Sequence, residues 1–172
     1  MIMRPFLPIA PDETMTSWAT RLAGMHGKEP LIPFLRDIGL HPDEMLKGSL
    51  LAVARLAEVT GVDPNHIRRQ CIRTLEWRRY ELRGELFEAE FLKGSVTSFC
   101  PACLLDDDRA GPSMIYRRGR LMWRLRPVRT CAVHGTSLVN RRYVDWSDRF
   151  HQMAVVIPET GKALAALQAV GG

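Results

Sequence analysis

The sequence has 172 residues and a mass of 19.5 kDa, with 46% hydrophobic and 25% charged residues. This composition is typical of a globular chain and excludes a wholly disordered one. No run approaches the ~20 apolar residues of a membrane span, and the N-terminus lacks the apolar segment of a signal peptide. We therefore expect a soluble, cytoplasmic protein that does not contact a membrane.

The net charge of +5 comes from one segment of the chain. Residues 109–142 hold nine Arg and no Lys, Asp or Glu, whereas the remaining sequence is slightly acidic. Charge clustered in this way indicates an anionic partner. The alternative is a solvated surface whose matching carboxylates come from elsewhere in the fold.

The first part of the chain predicts short helices. Three prolines within residues 4–11 predict an extended start. Apolar residues then recur at helical spacing, with Asp12 or Thr14 as the N-cap and Gly24 as a plausible end. The predicted helices cover residues 15–23, 31–38 and 43–46.

Residues 49–75 have the spacing of a helix-turn-helix. An Ala- and Leu-rich helix ends at Gly61, and Pro64 opens a second helix. Two helices joined by a short glycine turn are typical of DNA-binding proteins, although a plain pair of packed helices has the same spacing. The second helix would present three candidate nucleic-acid-binding residues: Arg68, Arg69 and Arg73. We expect residues 76–91 to be largely helical as well.

The four cysteines fall into two patterns. Cys71 stands alone in a predicted helix and is expected to be a buried structural thiol. Cys100 and Cys103 form a C-x2-C pair, and after 27 intervening residues Cys131 and His134 form a C-x2-H pair. Two such pairs fit one tetrahedral zinc site.

The predicted zinc is structural. Four protein ligands close the coordination shell and leave no position for a reactive water. A cytosolic context disfavours disulfides, no thioredoxin-like pattern surrounds the C-x2-C pair, and the H-x-E of zinc deaminases is absent. We expect one structural Zn²⁺ that holds together a loop-rich segment with too few apolar residues for a core of its own.

The chain between the two ligand pairs carries most of the arginines. Its apolar residues predict short strands or a short helix that packs on the zinc site, after an acidic loop at residues 106–108. An all-Arg excess suits nucleic acid because guanidinium groups bind phosphate bidentately and stack on bases. The candidate nucleic-acid-binding residues here are Arg117, Arg118, Arg120, Arg124, Arg126 and Arg129.

The predicted fold is mostly α, with a helical N-terminal part that contains the helix-turn-helix and a small zinc-ribbon-like α+β segment after it. We expect a helical domain over residues 1–95 and a zinc-knuckle segment over 96–145. A tail with a short helix is expected over 146–172.

The motifs, taken in order, resemble the TniQ family. That family opens with a Pro-rich pattern followed by E-S, S-W and R-L-A elements. The matching residues here are Pro8, Pro11, Glu13, Ser17, Trp18, Arg21, Leu22 and Ala23, with Thr14-Met15 in place of the usual Ser-Leu. The later elements, similar to L-A-x-x-T-G-hydrophobic-x-P, C-P-x-C-L, W-R and C-x-x-H-G-x-x-L, extend the resemblance over residues 5–138.

The resemblance implies a role in DNA recombination. Members of the family combine a helix-turn-helix part with zinc knuckles and select targets for transposition. They bind target DNA or dock on an RNA-guided complex, and they recruit an AAA+ ATPase that loads the transposase, without being catalysts themselves. By the same resemblance the zinc ligands are Cys100, Cys103, Cys131 and His134. The further C-x2-C pair that members often have is absent, so a second zinc site is not expected. Many members also continue into a longer C-terminal DNA-binding region that is not found in this sequence, and an adaptor, a regulator and a degenerate remnant all fit that departure.

Two other functions fit the same residues. One is a stand-alone helix-turn-helix transcriptional regulator, which would bind a palindromic operator as a homodimer. The other is a zinc-stapled interaction adaptor whose arginines meet an acidic protein or a guide RNA. An enzyme is disfavoured because the sequence shows no nucleophile–base pair, glycine-rich phosphate loop or paired carboxylates with a clear role.

Overall fold

The computed structural model describes residues 2–28 and 31–170, in which helices are combined with two small sheets. The fold over this part of the chain is α+β, more mixed than the predicted mostly α arrangement. The helices are α1 (Met15–Met25), α2 (Leu31–Asp37), α3 (Pro42–Lys47), α4 (Leu50–Thr60), α5 (Pro64–Arg68), α6 (Pro101–Ala110), α7 (Ser113–Tyr116), α8 (Met153–Val156) and α9 (Gly161–Val170). The strands are β1 (Arg73–Thr74), β2 (Arg79–Leu82), β3 (Glu85–Glu88), β4 (Val96–Phe99) and β5 (Val139–Arg142). Among the described residues, no helix has the length and hydropathy required to cross a bilayer.

Helix α1 lies at the centre of the first core. Its N-cap is Thr14, whose side-chain oxygen accepts a hydrogen bond from the Ser17 amide at 3.1 Å. The predicted cap and the predicted buried face are therefore both correct. The buried residues of that face are Met15, Trp18, Ala19, Leu22 and Ala23.

Apolar side chains from α1 to α5 form this first cluster together with Phe150. The α4 helix closely matches the helix predicted over residues 49–60. Ser49 caps it by accepting a hydrogen bond from the Ala52 amide, and Gly61 ends it with a φ of 75°. Because Phe150 belongs to the same cluster, the segment predicted as a tail packs against the helical part.

Helix α5 is much shorter than the second helix predicted for a helix-turn-helix over residues 49–75. Asp63 and Pro64 begin it as predicted, and the Asp63 carboxylate accepts a hydrogen bond from the Asn65 amide at 2.8 Å. The helix nevertheless ends at Arg68. Five residues make less than two turns, which is short for a helix that reads the major groove, so the structure does not show the predicted helix-turn-helix.

Long-range contacts explain why α5 ends early. The Gln70 carbonyl accepts a hydrogen bond from the Met15 amide at 3.0 Å, and the Cys71 thiol donates to the Gly48 carbonyl at 3.3 Å. Cys71 is buried, as predicted, and its burial raises the pKa of the thiol to about 12. These contacts turn the chain toward α1 and α3 and prevent the helix from continuing.

In place of the helix predicted up to Phe91, residues 79–88 form an antiparallel hairpin between two short 3-10 turns, Glu76–Arg78 and Ala89–Phe91. Strands β2 and β3 pair along their whole length and leave Arg83 and Gly84 as a two-residue turn. Both turn residues have positive φ, 54° and 89°, which is the pattern of a type I′ hairpin turn. Strand β1 completes a sheet in the order β1-β2-β3.

A second apolar cluster surrounds the cysteine pairs. Strands β4 and β5 pair antiparallel, α6 follows β4 directly, and α9 packs against α6. The core here is not made by residues 96–145 alone, because residues 153–164, in the segment predicted as a tail, supply apolar side chains to it. Among the buried residues of the cluster are Phe99, Leu104, Trp123, Leu138, Met153, Ile157 and Leu164.

Candidate metal centre and arginine network

The four side chains predicted as metal ligands lie together. The sulfur atoms of Cys100, Cys103 and Cys131 and a ring nitrogen of His134 lie within 4.8 Å of one another. Cys103 Sγ is 3.5 Å from Cys131 Sγ, and His134 Nδ1 is 3.3–3.7 Å from the three sulfurs. A tetrahedral ion with sulfur at about 2.3 Å and nitrogen at about 2.1 Å gives sulfur–sulfur and sulfur–nitrogen separations of roughly 3.8 and 3.6 Å. The group is therefore arranged to hold one metal ion.

The N-terminus of α6 positions the first pair of ligands. Cys100 is the N-cap and Cys103 lies in the first turn, with Pro101 at the first helical position. The positive end of the helix dipole favours the thiolate over the thiol. Hydrogen bonding from Cys103 also lowers the pKa of the Cys100 thiol below its usual range.

A tight hairpin positions the second pair. The Gly135 amide donates to the Cys131 carbonyl at 2.8 Å, and the Cys131 amide donates to the Thr136 carbonyl at 2.8 Å. Gly135 has a φ of 65°, a conformation that glycine adopts without a steric penalty. This turn brings His134 back over Cys131.

Asp106 is a residue of the site that the sequence pattern did not reveal. Its Oδ2 lies 3.0 Å from His134 Nε2, the ring nitrogen that faces away from the sulfurs. A carboxylate in this place fixes the tautomer and orientation of a metal-binding histidine. The predicted acidic loop at 106–108 is part of α6, where residues three apart share a face. The spacing between Cys103 and Asp106 was therefore the available signal.

The two carboxylates that follow Asp106 in α6, Asp107 and Asp108, form ion pairs with arginines from the segment between the ligand pairs. Asp108 accepts two hydrogen bonds from Arg117, at 2.7 and 2.6 Å, and the Arg117 side chain is only 1% exposed. Asp107 accepts a hydrogen bond from Arg120 at 2.8 Å and lies 3.6 Å from Arg118. The alternative considered for the arginine excess, carboxylates supplied by the fold, therefore applies to these residues.

Arg124 is held in a different way. It donates to the Tyr143 hydroxyl at 3.2 Å and lies 3.3 Å from His151 Nδ1, while the Tyr143 hydroxyl lies 3.1 Å from His151 Nε2. Burial lowers the pKa of Arg124 and holds that of His151 well below 6.5. Arg124 is half-buried and is engaged within the second region by Tyr143 and His151 rather than by a carboxylate.

The arginines predicted on the second helix are divided between two elements. Arg68 ends α5 and Arg73 lies in β1, and both donate to Glu81, at 3.1 and 2.7 Å. Together with the exposed Arg69 they line one surface pocket. Their contact with nucleic acid stays a prediction.

Arg126 and Arg129 are the exposed candidates between the ligand pairs. Neither has a carboxylate within ion-pair distance in the part of the chain that the structure describes. These two arginines line one surface cleft together with Lys93, which the sequence pattern did not single out.

A buried polar motif joins the helical part to the arginine segment. Glu13 is fully buried and accepts hydrogen bonds from Arg21 at 2.6 Å and from the Ser17 hydroxyl at 3.1 Å. Ser17 Oγ in turn accepts from the Gly119 amide at 2.7 Å, and Arg21 Nε donates to the Ile115 carbonyl at 2.7 Å. The three side chains therefore connect α1 directly to the chain around the metal site.

These features define a class of protein in which a small helical core is joined by a buried Glu–Ser–Arg motif to a Cys₃His metal-binding group. The sequence model of the TniQ family matches residues 4–138, most of the chain. The protein therefore belongs to the TniQ family, a family of transposition-associated adaptors. A comparison with curated proteins found no match.

Proposed function

We propose that the protein is a non-enzymatic adaptor of transposition that binds DNA or a nucleoprotein complex and recruits an AAA+ ATPase. The observation that carries the proposal is the family match over residues 4–138, because it spans both the buried Glu13–Ser17–Arg21 motif and the Cys/His group. Four protein ligands leave a bound metal no open position for chemistry. The metal would therefore serve structure, as an adaptor requires.

The metal in this proposal is zinc. Thiolate and imidazole ligands at tetrahedral spacing suit Zn²⁺, whereas calcium and magnesium require oxygen ligands. Elemental analysis of protein purified without added metal should find about one zinc per chain. Cys103→Ser should abolish zinc binding, and Cys71→Ala, which changes the cysteine outside the group, should retain it. Native protein without metal would contradict the assignment.

Recruitment of the ATPase is tested by co-purification. The tagged full chain is expressed with the AAA+ ATPase of the mobile element that carries its gene, and with an ATPase of an unrelated element as the control. We expect selective capture of the first. Failure to capture it with a chain that holds its zinc would exclude recruitment as the function.

Binding to DNA is tested by fluorescence anisotropy of a labelled duplex over a range of salt concentrations. Affinity that rests on arginine–phosphate contacts falls steeply as salt increases. An RNA-guided nucleoprotein complex is the second nucleic-acid target that the family suggests, and the same measurement applies to it.

A second candidate function is an adaptor that contacts only protein. It is supported by the pairing of five of the nine arginines within residues 109–142 with Asp or Glu, which reduces the charge available to phosphate. Absence of duplex binding at low salt, together with capture of the ATPase, would favour it. A transcriptional regulator has less support because α5 is only five residues long.

A further inference from the structure

The nine arginines of residues 109–142 divide into three groups. Five pair with carboxylates, and Arg124 is held by Tyr143 and His151. Within residues 2–28 and 31–170, the exposed arginines of this segment without a carboxylate in ion-pair distance are Arg126, Arg129 and Arg142. Within the described part of the chain, only these three of the nine arginines therefore present an exposed, uncompensated positive charge to a ligand.

Arg126 and Arg129 share a cleft of about 510 Å³ with Lys93, which we call the basic cleft. The backbone amide of Arg126 donates to the Phe91 carbonyl at 2.7 Å and so holds together two parts of the chain that are distant in sequence. None of the described lining residues is acidic. The remaining lining residues are Gly94, Val96, Ser137, Leu138 and Asn140.

Two of the three cations are held in place by backbone oxygens. Lys93 Nζ donates to the Val128 carbonyl at 2.7 Å, and the Arg126 guanidinium donates to the Leu92 carbonyl at 3.3 and 3.4 Å. Both groups keep further N–H donors for a ligand. Burial, with a smaller contribution from neighbouring arginines, lowers the pKa of Lys93 to about 8. An anion in the cleft would relieve the repulsion among these cations.

An exposed aromatic ring lies next to the cleft in the chain. Phe91, two residues before Lys93, is 53% exposed. Its ring packs edge-to-face on Phe87 at 6.5 Å, and Phe87 stacks on Tyr80 at 6.0 Å. These two contacts hold the Phe91 ring in position. Aromatic rings beside a basic groove are a common way to bind unpaired bases while the groove holds the phosphates.

We propose that the basic cleft and Phe91 bind a single strand of nucleic acid, with phosphates on Lys93, Arg126 and Arg129 and one base on the Phe91 ring. This proposal rests on the nucleic-acid contact in the proposed function and assigns it to a site outside α5. A duplex offers the same phosphates but no unstacked base, so the two forms of DNA are distinguishable by experiment.

The test is fluorescence anisotropy of the zinc-containing full chain with a labelled single strand of mixed sequence and with its duplex. The triple variant Lys93→Gln, Arg126→Gln, Arg129→Gln should reduce the slope of log K against log salt by about 2 for the single strand. The matched control is Arg36→Gln, Lys47→Gln, Lys162→Gln, which removes three exposed cations from α2, α3 and α9. A slope change no larger than that of the control would overturn the role of the cleft.

Phe91→Leu tests the ring separately. Loss of stacking should weaken single-strand binding about tenfold and leave duplex binding unchanged, and single-strand binding equal to wild type would overturn the stacking role. If the triple variant does not fold, Arg129→Glu replaces it, because no hydrogen bond or ion pair holds that side chain among the described residues; an unchanged salt slope would again count against the cleft. Wild-type protein that binds neither DNA would instead remove the nucleic-acid part of the proposed function.

Discussion

The two regions of the molecule are stabilised in different ways. The first is a cluster of apolar side chains from short, capped helices. The second also has apolar residues, but three of its buried residues are the cysteines of the metal group, and buried arginine–carboxylate pairs lie beside them. Hydrophobic burial depends little on pH or chelators, whereas metal ligation depends on both. The regions should therefore respond differently to conditions that remove metal or charge.

Removal of the metal should produce the largest effect. It should destabilise the second region and leave the first region folded. Structural zinc contributes on the order of 10 kcal/mol to folding in small metal-binding domains. After chelation we expect faster hydrogen exchange at the amides of β4 and β5, with α1 and α4 still protected. Equal loss of protection in both regions would show that they unfold as one unit and would remove the distinction between them.

Breaking one buried ion pair should have the next largest effect. Arg117→Ala leaves Asp108 without its partner and should lower the free energy of unfolding by about 3 kcal/mol. The control is Arg109→Ala, which removes an exposed pair with Asp106 and should cost about 0–1 kcal/mol. Urea unfolding measures both, and similar values for the two variants would contradict the importance of burial.

The junction between the regions is tested at Ser17. Ser17→Ala removes the acceptor of the buried Gly119 amide and should lower the free energy of unfolding by about 1–2 kcal/mol. Thr16→Ala, on the adjacent and less buried position of α1, should cost about 0.5 kcal/mol or less. Equal effects at the two positions would mean that the hydrogen bond to Gly119 does not stabilise the junction.

The smallest expected effect is a pH dependence that originates at His151. Burial holds the pKa of this residue well below 6.5, so below pH 6.5 the unfolded chain binds a proton that the folded protein does not. The free energy of unfolding should then fall as the pH drops below 6.5, by up to about 1.4 kcal/mol per pH unit. Comparing wild type with His151→Gln at pH 7.5, 6.5 and 5.5 isolates this contribution from loss of metal. Parallel pH profiles would exclude it.

Local signals were sufficient where the structure depends on local contacts. The helical spacing around Trp18 correctly predicted the buried face of α1, and the Thr14 cap lies where the pattern indicated. The two x2-spaced pairs at residues 100–103 and 131–134 also correctly predicted four donor atoms in one group. In α1 and within each ligand pair, residues only a few positions apart determine the geometry, whereas it is the fold that brings the two pairs together.

The predictions failed where contacts between distant residues decide the local structure. The second helix of residues 49–75 ends early because Gln70 bonds to Met15, a contact that no local pattern contains. The helix predicted over 76–91 overlooked Gly84, whose positive φ allows the hairpin turn. Helical propensity in this segment was overridden by strand pairing.

The charge pattern misled for a related reason. Residues 109–142 contain nine arginines and no acidic residue. Asp108, the partner of Arg117, lies one residue before this segment and so is left out of its net charge. Arg141 similarly pairs with Glu159, at 2.6 Å and 18 residues later. Only the folded chain distinguishes arginines that hold the protein together from those that remain available to a ligand.

The pairing of Arg117 has an evolutionary consequence. Its guanidinium contacts Asp108 and the carbonyl oxygens of Ile157 and Glu159, so a mutation at either charged residue alone leaves a buried charge without its counter-ion. We therefore expect Asp108 and Arg117 to be replaced together in related sequences, or not at all. Exposed positions such as Arg129 are free of that constraint, and variation there would follow the ligand rather than the fold.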